Sequence, residues 1–331
     1  MRKVRVAVIG LGSWGECHLQ AFHSLPYVEI AAVCDIREER VHSLADQYGV
    51  PGRYTDYEQL CEQEEIDLVS VVTFEKDHLQ PTLKALKSGK RVLVEKPVAT
   101  LVEEAAEMRD ASINQNRSII PGHLLRFDPK YAEVYEGIRS GSIGKPRSIY
   151  LRRGRARSLF ATYRRTHTVY ELMIHDIDLA IWYAASRVRR VRAYEIALTD
   201  PECPEILWAN LEFDNGVLAV LESHWMTPDE AGIAIADTAE IIGEQGTAHV
   251  DTRETGVQIW NSGGRLTPDL AIHRDINGLR FGALREQMNY VCQCIAQGEE
   301  PQYTSFADAL HGIEVAGAIL QSAKSGKEIS L

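Results

Sequence analysis

Short apolar segments alternate with helical segments through the first third of the chain, and this alternation constrains the fold more than any other feature. The apolar segments lie at residues 4–10, 28–35, 67–73, 91–95 and 117–122, and helical patterns lie between them at 14–24, 37–48, 56–63, 77–88 and 101–115. Strand and helix in alternation favour parallel βαβ units with right-handed crossovers. We therefore predict an α/β domain with a doubly wound parallel sheet for residues 1–122.

After about residue 122 the strand candidates follow one another directly. They lie at 145–153, 188–198, 206–213, 217–225, 238–243, 246–251 and 256–260. The Asn-Gly pair in "FDNGV" indicates a hairpin. Helical patterns near 170–185, 280–297 and 305–325 would cover one face of the sheet. We predict a second domain, residues 123–331, on a largely antiparallel sheet.

Composition narrows the class of partner. A net charge of −11 argues against nucleic acids and anionic membranes, so we expect a small-molecule partner. The six scattered cysteines fit reduced thiols in the cytoplasm. The first apolar run meets glycines at once and has no cleavage site, which indicates a strand rather than a signal peptide. No stretch approaches the roughly 18 apolar residues of a transmembrane helix.

A glycine motif follows the first strand. Gly10, Gly12 and Gly15 have the G-x-G-x-x-G spacing, and Asp35 ends the second strand twenty residues later. Gly10 would permit a tight turn, Gly12 would let the backbone approach a pyrophosphate, and Gly15 would let helix and strand pack closely. This context predicts a dinucleotide site, with a purely structural glycine turn as the alternative.

Asp35 bears on the choice of cofactor. Its carboxylate could accept hydrogen bonds from the ribose hydroxyls and would repel a 2'-phosphate, which favours NAD over NADP. Arg37 leaves NADP as the second choice, because a nearby guanidinium could accept a phosphate. The other predicted cofactor contacts are Ser13, Trp14, Ile36, Thr73, His78, Glu95 and Lys96.

Glu95, Lys96 and Pro97 directly follow the strand at 91–95. Ligands of open α/β sheets bind at the carboxyl ends of the strands, so these residues should line the cofactor crevice. Pro97 would hold Lys96 in an extended conformation. The alternative is a surface lysine beside a turn proline.

Taken together, these segments resemble the glucose-fructose oxidoreductase and inositol dehydrogenase (Gfo/Idh/MocA) family. The resemblance rests on "VAVIGLGSWG", "VCDIREER", "RVLVEKPVAT", "PGHLLRFDP", "GSIGKP" and "ELMIHDIDLAIW". It implies a Rossmann domain and a C-terminal α/β domain with an open, mostly antiparallel sheet, acting with NAD(P) on sugars and cyclic polyols. It also implies that Lys96 is catalytic and that the protein is a homodimer or homotetramer through the C-terminal sheet.

Residues 170–183 form the second predicted part of the site. At helical spacing Glu171, His175, Asp178 and Trp182 share one face and three isoleucines share another. Without the resemblance, this is an amphipathic helix with a solvated side. With it, His175 matches the family's general base, Glu171 stands where the family usually has an orienting Asp, and Asp178 would bind a substrate hydroxyl.

Three further residues are candidate substrate ligands. His123 and Arg126 lie in "GHLLRFDP", with a satisfied core histidine as the alternative. Residues 147–165 hold seven arginines and no acid. An exposed strand face or a subunit contact explains this stretch most simply; the alternative is that arginines such as Arg157 recognise an anionic substrate group.

These observations favour an NAD-dependent dehydrogenase that oxidises a secondary hydroxyl of a sugar, a sugar derivative or a cyclitol. In this hypothesis Lys96 stabilises the alkoxide and His175 accepts the proton. The alternatives are a glycoside hydrolase of the same fold that retains NAD, and a regulator that binds dinucleotide without turnover. No local His or Cys spacing predicts a metal site.

Overall fold

The computed structural model describes residues 3–62, 65–233, 235–254 and 256–331. The chain divides into two compact units, one of residues 1–127 with 271–310 and the other of residues 128–270 with 311–331. No helix in the described ranges is long and apolar enough to cross a membrane.

The first unit contains a six-stranded parallel sheet in the order β3-β2-β1-β4-β5-β6. The strands are β1 (Val4–Ile9), β2 (Val28–Cys34), β3 (Gly52–Tyr54), β4 (Leu68–Val71), β5 (Arg91–Val94) and β6 (Ile119–Pro121). The helices are α1 (Ser13–His23), α2 (Glu38–Tyr48), α3 (Tyr57–Cys61), α4 (Leu79–Lys87), α5 (Val102–Gln115) and α9 (Ala283–Gln297). The predicted doubly wound parallel sheet is confirmed. The strand order reverses between β1 and β4, which opens a ligand crevice at the carboxyl ends of the strands.

Helix α9 was predicted among the helices that cover the second sheet, but it packs in the first unit. Its apolar positions Leu284, Met288 and Val291 recur at helical spacing and are fully buried in one core cluster with Val6 and Val8 of β1. The chain therefore returns to the first unit after residue 270, and the predicted second domain of residues 123–331 does not coincide with the second unit.

The second unit contains a seven-stranded sheet in the order β12-β11-β7-β10-β9-β8-β17. Its strands are β7 (Pro146–Ala156), β8 (Val188–Ile196), β9 (Ile206–Phe213), β10 (Leu218–Thr227), β11 (Ala236–Gly243), β12 (Thr247–Asp251) and β17 (Ile329–Ser330). Neighbouring strands are antiparallel except β7 and β10, which are parallel. The predicted mostly antiparallel sheet is confirmed.

Other elements lie outside the two large sheets. The predicted strand at 256–260 is β13 (Ile259–Asn261), which pairs with β14 (Gly264–Leu266) in a separate two-stranded ribbon, and a second ribbon joins β15 (Arg274–Ile276) to β16 (Leu279–Phe281). The second unit also holds α6 (Pro129–Arg139), α7 (Arg157–Tyr163) and α8 (Ile174–Ala184), while α10 (Phe306–Ser325) contributes residues to both units.

Candidate functional site

The loop between β1 and α1 has the geometry that a dinucleotide needs. Gly10 has φ +93°, and a Cβ atom there would lie 2.5 Å from the Val72 carbonyl oxygen. A Cβ atom at Gly15 would collide with the Gly10 carbonyl oxygen, whereas one at Gly12 would meet nothing within 4 Å. The first and third glycines therefore serve the turn and the helix packing, and the second leaves open space in front of the helix N-terminus, where a pyrophosphate fits.

Asp35 follows β2 and is held in place by two neighbours. Its Oδ2 accepts a hydrogen bond from the Leu11 N–H at 2.8 Å, and its Oδ1 accepts from the backbone N and the Nε of Arg37 at 2.9 and 3.0 Å. Burial raises the pKa of the carboxyl, but the hydrogen bonds from Arg37 and Leu11 outweigh burial and lower the pKa overall. The carboxylate is therefore ionised and Arg37 is drawn onto it, an arrangement that suits a ribose diol better than a 2'-phosphate. Ile36 beside it is 90% exposed.

Arg40 of α2 was missed in the sequence, although it fastens the same loop. Its Nε donates to the Leu11 carbonyl at 2.8 Å and its Nη2 donates to Glu16 Oε2 in α1 at 2.6 Å. These partners are 29 and 24 residues away in the chain, so no local pattern pointed to the contact.

Trp14 and Ser13 begin α1 beside the glycine loop. Ser13 is exposed, and Trp14 is half-buried with its ring 5.6 Å from that of His273, which precedes β15. Sequence reasoning did not single out His273, because it reaches α1 only through the return of the chain to the first unit.

The Glu95-Lys96-Pro97 turn follows β5 at the carboxyl edge of the sheet. Lys96 is half-buried, while the Glu95 side chain is only 4% exposed and points into the unit. Glu95 Oε1 lies 2.9 Å from His18 Nε2, and Glu95 Oε2 accepts from the Lys96 backbone N–H at 3.1 Å. Glu95 is also predicted as a cofactor contact, and its described partners show that it supports the turn.

His78 also supports this edge from below. It is almost completely buried, its Nδ1 lies 2.9 Å from the Pro97 carbonyl oxygen and its Nε2 lies 3.2 Å from the Thr73 carbonyl oxygen. Burial lowers the pKa of the imidazole more than the two carbonyls raise it. A neutral ring donates from one nitrogen only, so His78 donates to either the Pro97 or the Thr73 carbonyl and packs between the loops after β4 and β5 without presenting a charge. Thr73 itself is half-buried, and its hydroxyl donates to the Asp77 carbonyl.

In the second unit, the predicted helix at 170–185 has two parts. Val169–Met173 forms a π-helical turn and α8 continues from Ile174. Glu171, Asp178 and Trp182 are buried and His175 is half-buried, so the alternative interpretation, an amphipathic helix with a solvated side, is not observed. Trp182 stacks on Tyr135 of α6 with ring centroids 4.1 Å apart. A π-helical turn is rare and recurs at functional sites, which agrees with the placement of Glu171 and His175 in this segment.

A buried ionic cluster fastens α8 to the second sheet. The guanidinium of Arg153 in β7 donates to both carboxylate oxygens of Asp176 at 3.0 and 2.7 Å and to Asp237 Oδ2 in β11 at 2.6 Å. Arg155 donates to Asp237 as well. Asp176, next to His175 in the chain, was not predicted as important, and the cluster fixes the residue that follows the proposed base.

Most arginines of residues 147–165 form ion pairs with acids on neighbouring strands and loops. Acids on β10, β11 and the loop after β11 supply ion pairs, which include Arg147 with Glu244 and Arg152 with Glu222. The stretch is therefore largely neutralised by neighbouring elements. Arg157, the predicted substrate ligand, is exposed at the start of α7 with its Nη2 4.0 Å from Met226 Sδ.

His123 and Arg126 are both buried. Arg126 donates to Asp308 Oδ2 at 3.0 Å and to the Tyr303 carbonyl at 3.2 Å, so its guanidinium holds the start of α10 and the loop before it. These contacts indicate a structural role for Arg126, and its role as a substrate ligand stays a prediction. Within the described residues, no group of three or more His, Cys, Asp or Glu side chains could hold a metal ion.

Comparison with known proteins agrees with this geometry. The family model described as "Oxidoreductase family, NAD-binding Rossmann fold" matches residues 4–123, and the model described as "GFO/IDH/MocA C-terminal domain" matches residues 131–249. The chain is 26% identical to scyllo-inositol 2-dehydrogenase (NAD(+)) of Bacillus subtilis, over 99% of this chain and 96% of that protein. It is 28% identical to inositol 2-dehydrogenase of Salmonella typhimurium, over 58% of this chain and 57% of that protein.

A similar fold is found in the crystal structure of scyllo-inositol dehydrogenase from Lactobacillus casei with bound NAD(H) and scyllo-inositol. The two structures superpose with a TM-score of 0.85 at 18% identity and cover 99% of each chain. The two family models together span most of the chain and coincide with the glycine loop, the Glu95-Lys96-Pro97 turn and α8. The chain therefore belongs to the Gfo/Idh/MocA family of oxidoreductases, and its first unit is an NAD-binding Rossmann domain.

Proposed function

We propose that the protein oxidises a secondary hydroxyl group of a cyclitol, a sugar or a sugar derivative with NAD as the hydride acceptor. The observation that carries the proposal is the position of Lys96, two residues beyond the end of β5 at the carboxyl edge of the NAD-binding sheet. Ligands of such sheets bind at that edge. The names of the aligned relatives, which are inositol dehydrogenases, support a cyclitol as the first substrate class to test.

The chemistry needs a proton acceptor and a stabiliser of negative charge. Bound NAD supplies the acceptor for the hydride that leaves the carbinol carbon. We assign the ammonium of Lys96 to the substrate hydroxyl oxygen, where it stabilises the charge that develops as the proton leaves. We assign that proton to the imidazole of His175, because a histidine titrates near neutral pH.

The remaining roles are proposed from the resemblance to the family. Glu171 is proposed to orient the imidazole of His175, and Asp178 to bind a neighbouring substrate hydroxyl. His123 is kept as a further substrate ligand, and Arg157 only for a substrate that carries an anionic group.

The test is a panel of myo-inositol, scyllo-inositol, glucose and gluconate, in which NAD reduction is followed by absorbance. Lys96→Met should bind NAD with an affinity within about 3-fold of the parent protein and lose kcat by at least about 100-fold. Lys87→Met, an exposed lysine at the end of α4, is the matched control and should keep full turnover.

The outcomes separate the competing functions. Unimpaired turnover by Lys96→Met would refute the assignment of Lys96. In a parallel assay with nitrophenyl glycosides, cleavage without net NADH release would indicate the hydrolase. NAD binding with no turnover in either assay would indicate the regulator.

We also propose a homodimer or homotetramer in the cytoplasm. One face of the second sheet exposes Tyr194, Trp208, Leu218 and Ile242, each more than 40% exposed, beside charged partners such as Glu222. Large exposed apolar side chains of this kind are typical of a subunit contact. All six cysteines are free thiols, which accords with a reducing compartment. Sedimentation analysis of the purified protein measures the oligomeric state.

A further inference from the structure

A line of buried polar side chains lies behind the Glu95-Lys96-Pro97 turn. Ser70 in β4, His18 in α1 and Glu95 after β5 are all within the first unit, and the first two are fully buried. Ser70 Oγ lies 2.9 Å from His18 Nδ1, and His18 Nε2 lies 2.9 Å from Glu95 Oε1. Buried polar groups of this kind are expensive unless each is satisfied, so the line is a built feature rather than an accident of packing.

The line ends on the backbone of the proposed catalytic lysine. Glu95 uses one oxygen for His18 and the other for the Lys96 N–H at 3.1 Å. Burial raises the pKa of the Glu95 carboxyl, but the hydrogen bond from His18 and the charges of His18 and Lys96 outweigh burial and lower it. An ionised carboxylate only accepts, so His18 Nε2 carries a proton and donates it.

The carboxylate has little freedom to turn elsewhere. A Cβ atom at Gly122 would lie 2.8 Å from Glu95 Oε1, so the Gly122 backbone packs directly against that oxygen. On the far side of the lysine, His78 Nδ1 contacts the Pro97 carbonyl. The backbone is thus held immediately before and immediately after Lys96.

We propose that His18 and Glu95 are positioning residues for Lys96: the imidazole fixes the carboxylate, and the carboxylate fixes the backbone from which the lysine side chain projects. The inference rests on the proposed role of Lys96. Neither His18 nor Glu95 touches the reacting atoms in this scheme. Their loss should therefore lower kcat through misplacement of the ammonium and leave NAD affinity nearly unchanged, because displacements of about 1 Å can lower rates by about 100-fold.

The experiment compares two substitutions of one residue. His18→Leu removes both hydrogen bonds and should lower kcat by about 30-fold, with the Kd of NAD, measured by NADH and NAD titration, within about 3-fold. His18→Gln offers an amide N–H to Glu95 and a carbonyl oxygen to the Ser70 hydroxyl, so it should recover kcat to within about 5-fold of the parent protein. A purely structural histidine would give no such split between kcat and Kd.

The matched control is His311→Leu. His311 is equally buried, accepts from the Val188 N–H at 2.9 Å and pairs with Glu314 at 2.8 Å, but it lies in the second unit. Its loss should lower the urea midpoint as much as the loss of His18, and kcat per folded molecule should stay at the parent value. A fall in kcat equal to that of His18→Leu would overturn the positioning role.

The other possible results distinguish a failure of this inference from a failure of the role proposed for Lys96. Parent-like kcat in His18→Leu, or no recovery in His18→Gln, would overturn the inference while leaving the proposed function intact, provided that Lys96→Met is inactive in the same assay. If Lys96→Met is active, the role proposed for Lys96 fails, and with it the premise of this inference. If His18→Leu does not fold, the isosteric Glu95→Gln decides: lowered kcat with unchanged Kd supports the inference and parent-like kcat overturns it.

Discussion

Removing the Arg153 guanidinium should expose how strongly the second unit depends on its buried ionic cluster. In Arg153→Met the carboxylates of Asp176 and Asp237 lose three charge-assisted hydrogen bonds of 2.6 to 3.0 Å. Asp237 keeps Arg155, whereas Asp176 loses the guanidinium that holds both of its oxygens. Breaking a buried pair from one side typically destabilises a protein by about 3–5 kcal/mol, and we expect a loss in that range near pH 7.5.

The size of the loss should depend on pH in a defined direction. Burial already raises the pKa of Asp176 more than Arg153 lowers it, and without Arg153 the pKa should rise further. A carboxyl whose pKa is higher in the folded state than in the unfolded state stabilises the fold at low pH and loses that contribution as pH rises through the folded pKa. The deficit of Arg153→Met relative to the parent protein should therefore shrink between pH 7.5 and pH 5.5, by up to about 1.4 kcal/mol for each pH unit.

Urea unfolding followed by circular dichroism at several pH values measures this effect. Arg139→Met is the matched control, since Arg139 pairs with Glu136 on an exposed helix face and its side chain is 65% exposed. That variant should keep the parent midpoint at every pH. An Arg153→Met midpoint equal to that of the parent protein, or a deficit that grows as the pH falls, would refute the reasoning.

Two further predictions concern His167, which accepts a hydrogen bond from the first turn of the π-helical segment, and the glycine loop after β1. His167 Nδ1 accepts from the Val169 N–H at 3.1 Å, and burial, followed by the charge of Lys324, lowers the His167 pKa from 6.5 to about 4. The free energy of unfolding should therefore fall by about 3 kcal/mol as the pH drops from 6.5 to 4. His167→Asn keeps a hydrogen-bond acceptor but does not titrate, so its stability should depend less on pH in urea unfolding. An equal slope in both proteins would contradict the role of the imidazole. Gly12→Ala should keep the parent melting temperature and weaken NAD binding by at least about 10-fold, because its methyl group would enter the open space where the phosphates bind. Gly10→Ala should instead destabilise the fold by at least about 1–2 kcal/mol, because Gly10 has a positive φ. Calorimetry and NAD titration distinguish the two effects, and equal melting temperatures of the two variants would contradict the strain assigned to Gly10.

The parts of the fold that the sequence predicts well are those encoded by local pattern. Apolar runs predict five of the six parallel strands, and glycine spacing predicts the loop after β1; the structure contains all of them. Strand β3 is three residues long and has no such run. Helix α9 has an ordinary apolar stripe, and nothing in that stripe says which of two sheets it will cover. Packing between distant segments decided that question.

Candidate site residues divide in the same way. Lys96 and Asp35 stand at the ends of strands, where parallel-sheet topology alone predicts a ligand crevice. The residues that hold them, His18 with Glu95 and Arg40 with Leu11, are joined across 77 and 29 residues of chain. His18 and Arg40 carry no local signal, because a buried histidine or arginine looks like a surface one in the sequence until its partner is known.

The buried helical segment of the second unit shows what a polar pattern can and cannot mean. The sequence predicts that Glu171 and Asp178 face the substrate or, in the alternative interpretation, solvent, yet both are buried, and so is Asp176. Each buried carboxylate carries a desolvation penalty of several kcal/mol unless it has partners, and Asp176 has two hydrogen bonds from Arg153. Amphipathicity therefore poorly explains this segment, which holds three acids within eight residues beside Ile174, Ile177 and Ile181. Such a pattern is better explained by charges that are compensated inside the protein, as Arg153 of the neighbouring strand β7 compensates Asp176.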